Sequence, residues 1–169
     1  MRNLESLKLY TFNKGQSFPN LENPPNLAIS RCNLFQYRFI KQIWSFNRKK
    51  IWERIRRGDH CYLAYLNKKP VHFSWVQSQG IHYIKNIDLS VPVQPGSIVI
   101  FHCRTSESAR GQNIYPLVLQ QILGDYFQKA YQEAWIYTSA NNVPSQKGIK
   151  KAGFTPVIDL EAFLETIQP

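Results

Sequence analysis

Between residues 34 and 57 the apolar positions Leu34, Tyr37, Ile40, Ile43 or Trp44, Ile51, Trp52 and Ile55 recur at threes and fours, the period of one helical face. The pattern predicts one long helix, or two with a break near residues 45–47, closed at Gly58-Asp59. Two β-prone runs follow, residues 61–66 and 71–76, around the polar turn Asn67-Lys68-Lys69-Pro70, and read as an antiparallel hairpin. A third run at 81–89 and a fourth at 97–104, separated by Pro92 and Pro95-Gly96, extend the sheet to four strands or more. A helix is expected over 113–131, its apolar face made by Ile114, Leu117, Val118, Ile122, Leu123, Tyr126 and Phe127. Pro116 is tolerated in its first turn, where no amide donor is needed. Residues 134–138 read as a short strand, 144–152 as a short helix closed by Gly153, and 154–158 as a final strand.

Upstream, residues 13–25 hold Gly15, Pro19, Pro24, Pro25, Asn13, Asn20 and Asn23, the signature of a loop. The pattern leaves open whether residues 1–33 join the sheet or form an irregular N-terminal extension. Helix, antiparallel strands, then strand, loop, helix, strand, helix, strand is an α+β order: a mostly antiparallel mixed sheet flanked by helices. Its later part is a parallel βαβ pair, with a ligand site beyond the carboxyl ends of the strands.

Composition narrows the class. At 169 residues the chain suits one domain spanning 1–169, and no stretch approaches the ~20 apolar residues of a membrane-spanning helix. Met1-Arg2-Asn3-Leu4-Glu5 lacks the basic-then-apolar run of a secretory signal, so a cytoplasmic location is expected. Cys32, Cys61 and Cys103 are widely spaced with no ligand pairing, which predicts free thiols and no metal. A net charge of +10 favours anionic partners, much of it from Arg48, Lys49, Lys50, Arg54, Arg56 and Arg57. Specific nucleic-acid binding is not expected, because no aromatic stacking platform accompanies that charge.

The segment carrying chemistry is the strand at 98–104, the loop at 105–111 and the helix after it. A glycine-bearing loop feeding a helix N-terminus offers unpaired amides to an anion. Arg110 adds charge, and Thr105, Ser106 and Ser108 add hydroxyl donors, a set suited to pyrophosphate.

Ala109-Arg110-Gly111-Gln112-Asn113-Ile114-Tyr115 resembles the Arg/Gln-x-x-Gly-x-Gly/Ala loop that cradles the CoA pyrophosphate in GNAT acyltransferases. Gly111 matches the first glycine, while Asn113 stands where Gly or Ala is usual and Ser108 where Gln or Arg is usual. Residues 142–154 resemble the family's second motif, Asn-x-x-Ser or Ala followed by a short helix and Lys-x-Gly-Phe. A narrower likeness, to GNAT proteins of bacterial surface-polysaccharide synthesis, rests on residues 58–76, the stretch ending in Thr105, and Ile114-Tyr115-Pro116.

The resemblance implies an acyltransferase using acetyl-CoA or another acyl-CoA as co-substrate, an amine attacking the thioester directly. The pantetheine arm would run between two splayed parallel strands, 98–104 and 135–139. It further implies CoA contacts from Cys103, Arg104, Thr105, Arg110, Gly111, Gln112, Asn113, Ile114, Tyr115, Asn142 and Ser145, with amides near Cys103 and Arg104 polarising the carbonyl. His102, near the end of the central strand and of a type that titrates near neutrality, is the candidate base. The family's usual tyrosine acid is replaced by Ile149, so that role passes to Ser145, Tyr115, Tyr137 or water, or is absent altogether.

His72, Trp75 and Tyr83, with Trp44, Trp52 and His82, are candidates for binding a small-molecule amine acceptor, anionic by the chain's charge, such as a nucleotide-linked amino sugar. Two other readings stay open: an acyltransferase acting on protein or aminoacyl amines, and a non-catalytic GNAT-like module that binds acyl-CoA or serves as an interaction domain.

Overall fold

A computed structural model describes residues 4–45 and 47–167. In chain order the elements are β1 (Leu7–Asn13), β2 (Leu27–Arg31), a 3-10 turn (Gln36–Phe39), α1 (Ile40–Ile43), α2 (Arg48–Arg57), β3 (His60–Leu66) and β4 (Lys69–Gln77). They continue as β5 (Ile81–Ile84), β6 (Leu89–Pro92), β7 (Ser97–Thr105), α3 (Ile114–Phe127), β8 (Glu133–Ser139), α4 (Val143–Lys151), β9 (Thr155–Pro156) and α5 (Leu160–Ile167). One sheet runs in the order β2-β3-β4-β7-β8-β1-β9, and β5 pairs with β6 apart from it. Within the large sheet β7 and β8 are parallel, and the other pairs are antiparallel.

Local chemistry accounts for the element ends. The extended backbone of Trp44 stops α1, and the Asn47 side chain accepts from the Lys49 amide to start α2, so the helical period is carried by two short helices. Gly58, at φ 91°, closes α2 in the left-handed conformation. The β3–β4 turn is tighter than the four residues expected: Asn67 and Lys68 both have positive φ, 50° and 66°, as a two-residue hairpin turn requires.

Both faces of the sheet are covered, which explains why its central strands are continuously apolar. Along β7 the alternation sends Ile98 and Ile100 to one face, against Val118, Leu119, Ile122 and Leu123 of α3 and Ile149 of α4. It sends Val99 and Phe101 to the other, among Ile40, Ile51, Phe73, Trp75, Trp135 and Leu164.

The structure settles one point left open and changes others. Residues 4–33 supply two strands, β1 lying between β8 and β9. The run at 81–89 does not join the large sheet: a 3-10 turn at Lys85–Ile87 and Asp88 at φ 48° fold it onto β6 as a separate hairpin. The long helix ends at Phe127 rather than at 131, and the last strand shrinks to two residues. Finally, α5 was not anticipated, although Leu160, Phe163, Leu164 and Ile167 carry helical spacing behind Asp159, whose carboxylate accepts from the Ala162 amide at 2.9 Å.

Candidate active site

The parallel strands share a ladder only from Ser97↔Glu133 to Ile100↔Ile136, beyond which β7 runs on to Thr105 and β8 to Ser139. Over the same stretch the β4–β7 register slips. Phe73 faces Arg104 and Trp75 faces Phe101, so that two β7 residues, His102 and Cys103, stand against Ser74. His102 takes φ 48° to make this bulge. A bulge bends its strand and takes a residue out of the ladder, and here it turns the end of β7 away from β8.

A cleft of about 560 Å³ opens beside this divergence, between the start of α3 and α4. Arg104 and Arg110 line one side, Lys147 and Lys151 the other. The loop from β7 passes through a 3-10 turn at Glu107–Ala109 and enters α3 through two left-handed residues, Gly111 (φ 79°) and Asn113 (φ 59°). Asn113 can stand where the family motif has Gly or Ala because Asn tolerates this conformation better than other non-glycine residues. Its side chain does not cap α3 but donates to the Glu22 carbonyl at 3.2 Å, so the first amides of the helix keep their donors for a ligand. No heavy atom lies within 4 Å of where a Gly111 Cβ would be, so an anion can approach the backbone closely.

On α4, the Asn142 side chain accepts from the Ser145 amide at 3.2 Å, so the Asn-x-x-Ser motif is a helix cap as well as part of the cleft wall. Gly148 leaves room for Tyr115, whose ring stacks on His72 with centroids 5.5 Å apart. A chain of polar side chains follows. His72 is fully buried, with Nδ1 2.7 Å from Thr105 Oγ1 and Nε2 2.7 Å from Ser74 Oγ. Ser74 and Tyr115 are the polar neighbours of the Cys103 thiol, and the Tyr115 hydroxyl also neighbours Ser145. Burial lowers the His72 pKa to about 3 and raises the Cys103 thiol to about 11. The Tyr115 phenol is pushed well up, by burial first and then by the neighbouring Cys103. All three groups are therefore neutral in the resting protein at pH 7.

The cleft gathers His72, Cys103, Arg104, Thr105, Arg110, Gly111, Asn113, Ile114, Tyr115, Asn142 and Ser145 of the residues singled out in the sequence. Gln112 is exposed, its side chain turned back to the Ser108 carbonyl. His102 packs edge-on against Phe73, and its expected titration near neutrality is corrected: burial, with the charges of Arg54, Arg104 and Lys50, takes its pKa to about 3. Trp75 is fully buried, stacked with Tyr37 on the other face of the sheet. Tyr83 lies exposed on the β5–β6 hairpin and donates to Asp88 at 2.8 Å. Lys151, the lysine of the Lys-x-Gly-Phe motif, and Lys147 carry no ligand role in the sequence reading, although their i,i+4 spacing on the short helix is readable. Among the described residues no group of three His, Cys, Asp or Glu side chains could hold a metal ion, and no helix is long and apolar enough to cross a membrane.

No family model matches the sequence, and no curated protein matches it. Solved structures do resemble it. A GNAT-family acetyltransferase from Colwellia psychrerythraea superposes with a TM-score of 0.63 at 18% identity, over 89% of this chain and 52% of that one. A GCN5-related N-acetyltransferase from Sphaerobacter thermophilus gives 0.67 at 14% identity, over 89% and 48%. An aminoglycoside N-acetyltransferase in complex with CoA gives 0.57 at 16% identity, over 76% and 91%. The chain spans about half the length of the first two. The diverging parallel strands, the glycine loop and the helix-capping Asn142 thus stand on a sheet and helix arrangement that is the fold of the GNAT acetyltransferases.

Proposed function

We propose that the chain is an acyl-CoA-dependent N-acyltransferase, acetyl-CoA being the co-substrate, that transfers the acyl group to a small-molecule amine. The carrying observation is the cleft at the open end of β7 and β8. Free amides at the start of α3, two arginines and two lysines there suit a pyrophosphate, and the gap between the strands suits a pantetheine arm. The bulge at His102-Cys103 supports a donor amide near Cys103 or Arg104 for the thioester oxygen. For the leaving thiolate, Tyr115 supports the role that Ile149 cannot fill. Ile149 is buried in the core, whereas the Tyr115 hydroxyl lies between Cys103 and Ser145 at the cleft wall.

An anionic acceptor, with a nucleotide-linked amino sugar as the candidate, is supported by a second groove of about 350 Å³, where Tyr37 and Trp52 lie beside Arg38, Lys41 and Arg48. Arg54 and Arg57 are engaged elsewhere, Arg54 over the Trp75 and Phe101 rings and Arg57 in an ion pair with Asp59. A second reading, a non-catalytic acyl-CoA-binding module, is favoured by Ile149 alone.

The test is thermal unfolding with a panel of acyl-CoAs, because a ligand that binds the folded state alone must raise the midpoint. At roughly 100 times Kd the expected rise is several degrees. Gly111→Glu and Arg110→Glu should abolish it, the second without strain at a left-handed glycine. No shift with any acyl-CoA at millimolar concentration sinks the proposal. Binding without turnover in a broad amine screen selects the module.

A further inference from the structure

On the face of the sheet opposite the cleft, three side chains form a hydrogen-bonded line whose polarity can be read from its end. Gln77 is fully buried on β4, and its amide nitrogen donates to two carbonyls, Gln79 at 2.8 Å and Ile81 at 3.0 Å. Its Oε1 is therefore the atom turned to His82, 2.7 Å from Nδ1, and an amide oxygen can only accept. So Nδ1 of His82 carries the proton. The other nitrogen, Nε2, lies 2.9 Å from the Tyr137 hydroxyl and must accept from it, because His82 is neutral: burial, with Arg57 and Arg54 nearby, takes its pKa to about 3. The hydroxyl proton of Tyr137 is thus committed to His82, and elsewhere the Tyr137 oxygen offers only a lone pair.

The place of Tyr137 gives that polarity a use. It follows Ile136, the last β8 residue paired with β7, and on its other side it pairs with Leu9 of β1. Ile136 belongs to the core on the cleft face, and Tyr137 packs with the core on the opposite face. Tyr137 is half-buried, not sealed. A thioester passing between the strands from the cleft would reach the face on which Tyr137 packs, and the groove proposed for the acceptor is lined by Tyr37, Ile51 and Ile55 of that same face.

Resting on the transferase reading, we infer that Tyr137 is the hydrogen-bond acceptor for the N–H of the attacking amine, and that Gln77 and His82 are positioning residues that keep its oxygen a pure acceptor. One amine hydrogen held by Tyr137 leaves the nitrogen lone pair free to face the thioester carbon. A hydroxyl free to rotate could instead donate to that lone pair and disable it.

Nitrogen-15 spectra of the histidine rings test the polarity without turnover, His82 being assigned by its loss in His82→Asn. The expected result is protonated Nδ1 and unprotonated Nε2, unchanged from pH 5 to 9. The opposite tautomer, or a titration within that range, overturns the inference. Kinetics test the use. Tyr137→Phe should lower kcat/KM for the amine about tenfold or more, the worth of one buried hydrogen bond, and leave acyl-CoA affinity within about twofold. Gln77→Met, which frees His82 to reverse its tautomer, should do the same. Unchanged amine kinetics in Tyr137→Phe overturn the inference, and acyl-CoA binding by the wild-type protein reports separately on the transferase reading.

Discussion

The Tyr115 ring lies against the backbone of Gly148 so closely that a Cβ there would come 2.5 Å from Tyr115 Cδ1. Glycine on α4 thus makes room for a tyrosine delivered by α3, at the turn that also carries Ser145. Gly148→Ala must push the ring away, and an overpacked contact of this kind costs about 1–3 kcal/mol. The expected outcome is a lower unfolding midpoint together with a loss of turnover. Tyr115→Phe separates the two: it keeps the ring, should hold stability within about 1 kcal/mol, and should lower kcat at least about tenfold if the hydroxyl supplies a proton. Full activity in Tyr115→Phe removes the acid role.

Asn113 should tolerate glycine and resist branching. At φ 59° Asn113→Gly is expected to leave stability within about 1 kcal/mol, whereas Asn113→Val should cost about 1–2 kcal/mol because a β-branched side chain strains in the left-handed region. Chemical denaturation of both variants decides this, and equal midpoints would contradict the account of the loop.

The histidines set an acid limit. His72, His82 and His102 are taken to about 3 and His60 to about 4, each by burial first, so the native protein holds them neutral. In the unfolded chain they protonate near the usual value of about 6.5. Between roughly pH 6.5 and 4 the unfolded state therefore binds more protons. Stability is full above pH 6.5 and falls as pH drops, with a slope of about 1.4 kcal/mol per pH unit for each fully buried histidine. The unfolding midpoint should be level from pH 7 to 8 and drop steeply below 6.5. His72→Gln, if it folds, should have the shallower slope, and a midpoint flat down to pH 4.5 would contradict the burial of these rings.

Cys103 should prove dispensable as a nucleophile. Its thiol is raised to about 11, and its polar neighbours, Ser74 and Tyr115, are hydroxyls with no basicity at neutral pH. Cys103→Ser is expected to keep turnover within about tenfold, and initial rates should show a sequential rather than a ping-pong pattern. An isolable acyl-enzyme would overturn direct attack.

The amino-acid sequence by itself determined the parts whose signal is local. The helical period of α2 and α3, the hairpin around Asn67-Lys68, and the strand, glycine loop and helix from 97 to 127 follow from side-chain spacing and turn chemistry within short windows. Most of the cleft was legible for the same reason, since Arg104 to Tyr115 and Asn142 to Ser145 are two short segments whose neighbours in sequence are also neighbours in space. Only the tertiary structure decided what depends on pairing at a distance. That β1 lies against β8, that β5 and β6 leave the large sheet, and that β7 parts from β8 after Ile100 are properties of registers between segments far apart in the chain. The same holds for Tyr115 beside Gly148, and for Gln77, His82 and Tyr137 in one line: the sequence offers Tyr115, His82 and Tyr137 as candidates one by one, but not which of them touch. The polarity of a hydrogen-bonded line is fixed by whichever group at its end has no choice, and that group is found only once the chain is folded.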